Sequence, residues 1–271
     1  MFSLKKINNV EIEPLKIKPI NLDKIKGRDL FPKLYGNIFL CAHQRSGKST
    51  IIYNIIRDCT DKNTQLYIFC SNHNTDEAYQ EIKKLIEKKG LFVEFYTSLI
   101  DIDSKINELE LIMKDIQETI PEEEEKDLTD TQYNEIEHCY EHIKIKIKKS
   151  PKDKKQAPKN IFIFDDFSHE LKNKWLIKLL KEPTHYRSKV IISTQYLHDL
   201  EPGSRDQINF WLIFKDQPRD KLDIIHKHSS LKMPIEVFYK IYDDVTLEKY
   251  NFLYIEKAGE LRKNFNTVIL I

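Results

Sequence analysis

The chain has 271 residues, 44 of them basic and 43 acidic, for a formal net charge of +1. That length suits one large domain or two small ones, and the charge balance argues against binding nucleic acid over the whole surface while leaving local patches open. Glycine is scarce, 6 residues in all against roughly 7% in ordinary usage, which excludes collagen-like and low-complexity classes and makes each glycine position informative.

No run of about 20 apolar residues occurs, so no membrane span is expected. Met1–Asn9 carries lysines without an apolar stretch or a small-residue cleavage site, so no secretion signal is expected. Cys41, Cys59, Cys70 and Cys139 are widely spaced, with no CxxC pair. They read as small buried hydrophobes in a reducing compartment rather than disulfides or metal ligands.

In chain order, residues 1–36 are broken by Pro14, Pro19 and Pro32 and read as an arm leading to a domain over 37–271. Asn37–Cys41 is a buried-strand run. Ser49–Asp58 is helical, with Ile51, Ile52, Ile55 and Ile56 on one side. Leu66–Cys70 reads as a strand, Asp76–Lys89 as a helix and Phe92–Thr97 as a strand. Further strands are expected at Ile161–Phe164, Lys189–Ser193, Trp211–Phe214 and Phe252–Glu256, with helical stretches between most of them. Alternating strand and helix predicts an α/β fold, a mostly parallel sheet covered by helices on both faces.

An interruption runs from about 100 to 159. Ile102, Ile106, Leu109, Met113, Ile116 and Ile120 form one heptad-like seam, and Tyr133, Ile136, Tyr140, Ile143 and Ile147 form another. Pro121 and the acidic run Glu122–Glu125 lie between them. The simplest expectation is an inserted antiparallel helical hairpin; two amphipathic helices packed on the core fit as well. The lysines that follow, Lys144 to Lys159, read as a solvated basic loop or a polyanion contact.

Ala42-His43-Gln44-Arg45-Ser46-Gly47-Lys48-Ser49 directly follows the first strand and opens the first helix. It fits the phosphate-binding (Walker A) pattern G-x-x-x-x-G-K-[ST], with alanine at the first position. Backbone N–H groups of such a loop and of the helix N-terminus, through Thr50, point at phosphates. Gly47 lets the backbone approach, Lys48 reaches the outer phosphates, and Ser49 supplies a hydroxyl to Mg²⁺. The fold class narrows to a RecA/ASCE-like P-loop NTPase, with ATP and Mg²⁺ as the expected ligands. No guanine-selecting Asn-Lys-x-Asp motif stands where a GTPase would need it.

Ile161-Phe162-Ile163-Phe164 ends in Asp165-Asp166. The carboxyl end of a buried parallel strand is where ligands bind. There Asp165 would hold the Mg²⁺ shell, and Asp166 would orient or deprotonate the attacking water. The next strand ends in Gln195, whose amide could touch both the γ-phosphate and that water, or merely cap a turn. Arg187 and Arg205 each fit either a charge supplied to a neighbouring subunit's γ-phosphate or a surface ion pair.

These segments, with His185-Tyr186-Arg187-Ser188-Lys189-Val190-Ile191-Ile192-Ser193-Thr194-Gln195 and Gly203-Ser204-Arg205-Asp206-Gln207-Ile208-Asn209, resemble the DNA-packaging ATPases of poxviruses, other nucleocytoplasmic large DNA viruses and virophages. Those proteins belong to the FtsK/HerA class of P-loop motors. The resemblance covers about residues 35–215. It implies ATP hydrolysis that moves double-stranded DNA into a capsid, in the host cytoplasm or the virion. It also implies a homo-oligomeric ring, pentamer or hexamer, with arginine fingers acting in trans and capsid proteins as partners. Carried over, Lys48 and Ser49 bind nucleotide and metal, Asp165 and Asp166 are the metal and water residues, and Gln195 is the sensor. Poxvirus-type sequences carry an arginine eleven residues before the sensor; here that place is Thr184, so Arg187 or Arg205 would have to serve.

Other constellations are weaker. His138 and His142 have zinc-compatible i, i+4 spacing but lack a third ligand, and an exposed helix face accounts for them. His226 and His228 receive no role, and Tyr239, Tyr242 and Tyr250 read as packing groups. A small-molecule kinase or a nucleotide-gated adaptor on the same core are the competing functions.

Overall fold

A computed structural model describes residues 22–96, 155–166, 169–172, 174–257 and 259–270. The expected hairpin, the acidic run, Lys144–Lys154, Cys139, His138 and His142 lie outside the described residues.

Six parallel strands build most of one sheet: β1 (Gly36–Cys41), β2 (Gln65–Cys70), β3 (Phe92–Tyr96), β4 (Asn160–Asp165), β5 (Ser188–Thr194) and β6 (Phe210–Phe214). Then β7 (Phe252–Glu256), β8 (Leu261–Lys263) and β9 (Thr267–Val268) add an antiparallel margin. The order across the sheet is β3-β2-β4-β5-β1-β6-β7-β8-β9. Strand β5 therefore lies between the strand that feeds the phosphate loop and the strand that ends in the paired aspartates.

The strands β1, β4, β5 and β6 are buried at every position, which is why they read as continuous apolar runs rather than alternating ones. Side chains still alternate between faces. Ile38, Leu40, Ile161, Ile163 and Ile191 join one core with α1 (Lys48–Cys59) and α2 (Glu77–Lys89). Phe39, Phe162, Phe164 and Ile192 join the other core with α3 (Lys174–Lys181), and with α5 (Arg219–Ser229) and α6 (Ile235–Val245) further on. Helices thus cover both faces. The short helix α4 (Pro202–Arg205) lies in the crossover from β5 to β6.

The helix limits follow local chemistry. Asp76 caps α2 by accepting from the Ala78 N–H at 2.8 Å, and Gly90 closes it in the left-handed conformation. Part of the expected arm belongs to the domain. Phe31 is fully buried against Phe210, Tyr254 and Phe265, and the Lys26 N–H donates to the Gln156 carbonyl at 2.8 Å. Cys41, Cys59 and Cys70 are free and buried, and burial pushes each thiol up to about 11. Among the described residues, no helix is long and apolar enough to cross a membrane.

Candidate nucleotide site

At the carboxyl edge of the parallel strands lies a cavity of about 450 Å³. Six loop and helix residues line it: Gln44, Arg45, Gly47, Lys48, Ser49 and Thr50. Asn72 and Asp76 line it from the β2–α2 connection, Ala78 from the first turn of α2, Asp165 and Asp166 from the end of β4, and Tyr250 from the loop before β7.

The loop bends where β1 ends. Arg45 (φ 60°) and Gly47 (φ 100°) both take the left-handed region, and such turns aim successive N–H groups into one concavity. Glycine suits the second position because a side chain there would be strained. The three remaining loop residues support the turn and do not line the cavity. Ala42 is fully buried beneath it, His43 Nε2 lies 3.0 Å from the Asp216 carbonyl, and the Ser46 hydroxyl donates to the His43 carbonyl.

Lys48 is 8% exposed and its ammonium stands 2.6 Å from Asp166 Oδ1. Asp166 itself has φ 56°, an uncommon conformation for a residue with a side chain, and its N–H donates to the Ser193 carbonyl at 2.8 Å. The strained backbone therefore sits at the residue whose carboxylate meets the lysine, as strained residues at functional sites do.

Asp165 is different. It is buried, and the buried hydroxyl of Tyr79 donates to its Oδ2 at 2.9 Å. Its Oδ1 is buried, with no hydrogen-bond partner of good geometry among the described residues. Burial pushes this carboxyl above its ordinary value, against the pull of the neighbouring Ser193 hydroxyl and the Lys48 ammonium. A buried carboxylate oxygen without a partner, in a cavity shared with the Ser49 hydroxyl, fits a hard divalent cation that takes few protein ligands and keeps water and phosphate oxygens for the rest. Among the described residues no cluster of three or more His, Cys, Asp or Glu side chains forms a self-sufficient metal cage.

The other expected residues fall elsewhere. Gln195 stands just past the end of β5, beside the site, but does not line the cavity. Its carbonyl accepts from Lys221 Nζ at 2.7 Å. Lys221 also donates to Gln217 Oε1 at 2.8 Å, and Cys41 Sγ lies 3.2 Å from the same oxygen. Gln195 is thus tied by a buried lysine to the residue that precedes the phosphate loop. Arg187 lies at the opposite, amino edge of the sheet, exposed in a second cavity with Leu34, Tyr35, Asp61, Lys155 and Lys159. Arg205 is 9% exposed, and its Nε has no hydrogen-bond partner among the described residues; burial lowers its pKa against the pull of Glu201.

Three residues that the motifs did not mark enter the picture. Tyr79 and Lys221 hold site residues through hydrogen bonds between distant parts of the chain. Tyr250, read from sequence as packing, is 58% exposed and borders the cavity. Tyr242 does pack: it is buried, donates to the Phe214 carbonyl at 2.8 Å and accepts from the Gln217 N–H.

Sheet order and the strand–loop–helix arrangement give the chain the fold of P-loop NTPases. The cytoplasmic domain of the Thermomonospora curvata type VII secretion ATPase EccC has the same fold, with a TM-score of 0.52 at 12% identity over 91% of this chain and 27% of that one. The DNA-packaging ATPase B204 from Sulfolobus turreted icosahedral virus is also similar, with a TM-score of 0.47 at 17% identity, covering 84% of this chain and 96% of that one. The genome-packaging NTPase B204 from Sulfolobus turreted icosahedral virus 2, in complex with sulfate, has a TM-score of 0.48 at 18% identity, covering 88% and 98%. No family profile and no curated protein matches the chain by sequence.

Proposed function

We propose that this chain is an Mg²⁺-dependent ATPase of the FtsK/HerA class that drives double-stranded DNA, as a homo-oligomeric ring, into a viral capsid. The observation that carries the ATPase reading is the meeting of Lys48 and Asp166 at 2.6 Å beside a buried, half-satisfied Asp165. The DNA and capsid parts rest on the resemblance of residues 35–215 to packaging ATPases.

In this reading the loop N–H groups and the α1 N-terminus cradle the phosphates. Lys48 exchanges its carboxylate partner for the outer phosphate oxygens, which frees Asp166 to hold the attacking water and take its proton. Asp165 and Ser49 would hold Mg²⁺, which, when bound, neutralises charge developing on the phosphates. Gln195, one strand over and outside the cavity lining, would report on the γ-phosphate of a bound nucleotide. Arg187 stands at the amino edge, away from its own subunit's nucleotide cavity, and its charge would be offered to a neighbouring subunit.

The test is ATP hydrolysis with and without double-stranded DNA, alongside mass by light scattering. DNA-stimulated hydrolysis by a ring is the expected result. A strict monomer that phosphorylates a metabolite overturns the motor in favour of a kinase. Hydrolysis indifferent to DNA removes the translocase part and leaves the ATPase.

A further inference from the structure

Strand β7 runs antiparallel to β6, with Phe252 opposite Phe214. Its beginning therefore lies at the same sheet edge as the phosphate loop, and the residue just before it but one, Tyr250, is delivered to the cavity. Because the sheet order runs β2-β4-β5-β1-β6-β7, the Asn72 and Asp165 side of the cavity and the Tyr250 side lie on opposite flanks of the phosphate loop.

Several observations at Tyr250 are unlike those of a packing residue. The ring is 58% exposed, although an aromatic this size usually buries most of its area. A methyl group placed on Gly47 would lie 3.6 Å from Tyr250 Cδ1, so the ring stands against the glycine of the phosphate loop. The backbone has φ 72°, an outlier for a bulky residue. Its neighbours hold that bend: the Asn251 N–H donates to the Glu248 carbonyl at 3.3 Å, and Asn264 Nδ2 donates to Asn251 Oδ1 at 2.9 Å. Lys249 Nζ lies 4.8 Å from the ring centroid. A braced, strained and exposed aromatic beside a phosphate site is a surface for a flat partner.

Resting on the nucleotide reading above, we infer that Tyr250 is the platform on which the nucleobase stacks, and that the site takes purine nucleoside triphosphates. Phosphates at the loop and a base on the Tyr250 flank place the two ends of one nucleotide within the same cavity. Stacking reads the face of a base and not its hydrogen-bonding edge. ATP and GTP are therefore held alike, and smaller pyrimidine rings less well.

The experiment measures binding of ATP, GTP, CTP and inorganic tripolyphosphate to wild type, Tyr250→Ala, Tyr250→Trp and Tyr250→Gly by calorimetry. Tyr250→Ala should weaken ATP about tenfold or more and leave tripolyphosphate, which has no base, unchanged. Tyr250→Trp should retain ATP. Tyr250→Gly relieves the positive φ, so its Tm should be at least that of wild type while ATP binding falls as in the alanine variant. Equal losses for ATP and tripolyphosphate would mean that Tyr250 only shapes the loop, and the inference fails. No loss for ATP, or tight CTP binding, overturns it as well. If wild type binds neither ATP nor tripolyphosphate, the nucleotide reading itself has failed.

Discussion

Two cavities of nearly equal volume, about 450 and 460 Å³, sit at opposite edges of one sheet. Both are bordered by cations, Lys48 and Arg45 at the carboxyl edge and Arg187, Lys155 and Lys159 at the amino edge. Their backbones and carboxylates differ. The carboxyl edge gathers left-handed residues at Arg45, Gly47, Asp166 and Tyr250 and a buried carboxylate oxygen without a partner among the described residues. The amino edge has one left-handed lining residue, Arg187, and its acid, Asp61, accepts from the Asn63 N–H in an ordinary turn. Volume and charge alone would not separate the two; the run of left-handed residues and the buried carboxylate do.

Substitutions should break the symmetry in a graded way. Lys48→Ala is expected to lower ATP turnover by on the order of 10²–10³-fold, and Asp166→Asn by at least about 10²-fold. Steady-state hydrolysis measures both, and full activity in Lys48→Ala would sink the site assignment.

The amino edge should instead register in stability. Lys189 is fully buried beside Phe31 and hydrogen-bonds to the Lys33 carbonyl. Burial lowers its pKa from 10.5 to about 8, with Cys59 opposing. Between those values the unfolded chain binds the proton that the folded chain has released, so stability rises with pH from about 8 to 10.5. Lys189→Met should therefore stabilise at pH 7 by on the order of 3 kcal/mol, and the gain should fade toward pH 10.5. Urea melts across that range would show it; a gain independent of pH would place the effect in packing.

A smaller change is expected from Tyr79→Phe, which removes the hydrogen bond to Asp165 Oδ2. The Mg²⁺ concentration for half-maximal hydrolysis should rise about tenfold with little change in maximal rate; a lower maximal rate at an unchanged Mg²⁺ midpoint would refute this. On nucleotide binding by an isolated subunit the smallest effect of all is expected from Arg187→Ala, which should leave affinity at the wild-type value; in the proposed ring its cost would fall on hydrolysis alone. Weakened binding by an isolated subunit would mean that the two edges are not separate sites.

Local chemistry made much of this legible in the sequence. Buried parallel strands announce themselves as apolar runs, and the phosphate loop and the aspartates at a strand end are contiguous motifs whose geometry is dictated by neighbours along the chain. The antiparallel β8 and β9 went unread because three- and two-residue strands carry no period. Tyr79, Lys221 and Tyr250 were missed for another reason: each acts on a residue far away in sequence, and only the sheet order brings them together. Tyr250 also shares its residue type with Tyr242, and only exposure separates a core ring from a bordering one. Phe31 belongs to the core despite the proline-broken arm around it, because one aromatic without a repeating pattern leaves no signal.

Strand β5 has Arg187 immediately before it and Gln195 immediately after it, with every residue between them buried. At about 3.3 Å per residue, the two ends are about 26 Å apart. A strand hydrogen-bonded on both sides, to β1 and to β4, resists bending and stretching and moves only as a piece. The separation of Arg187 and Gln195 is therefore set by the sheet itself and by no loop.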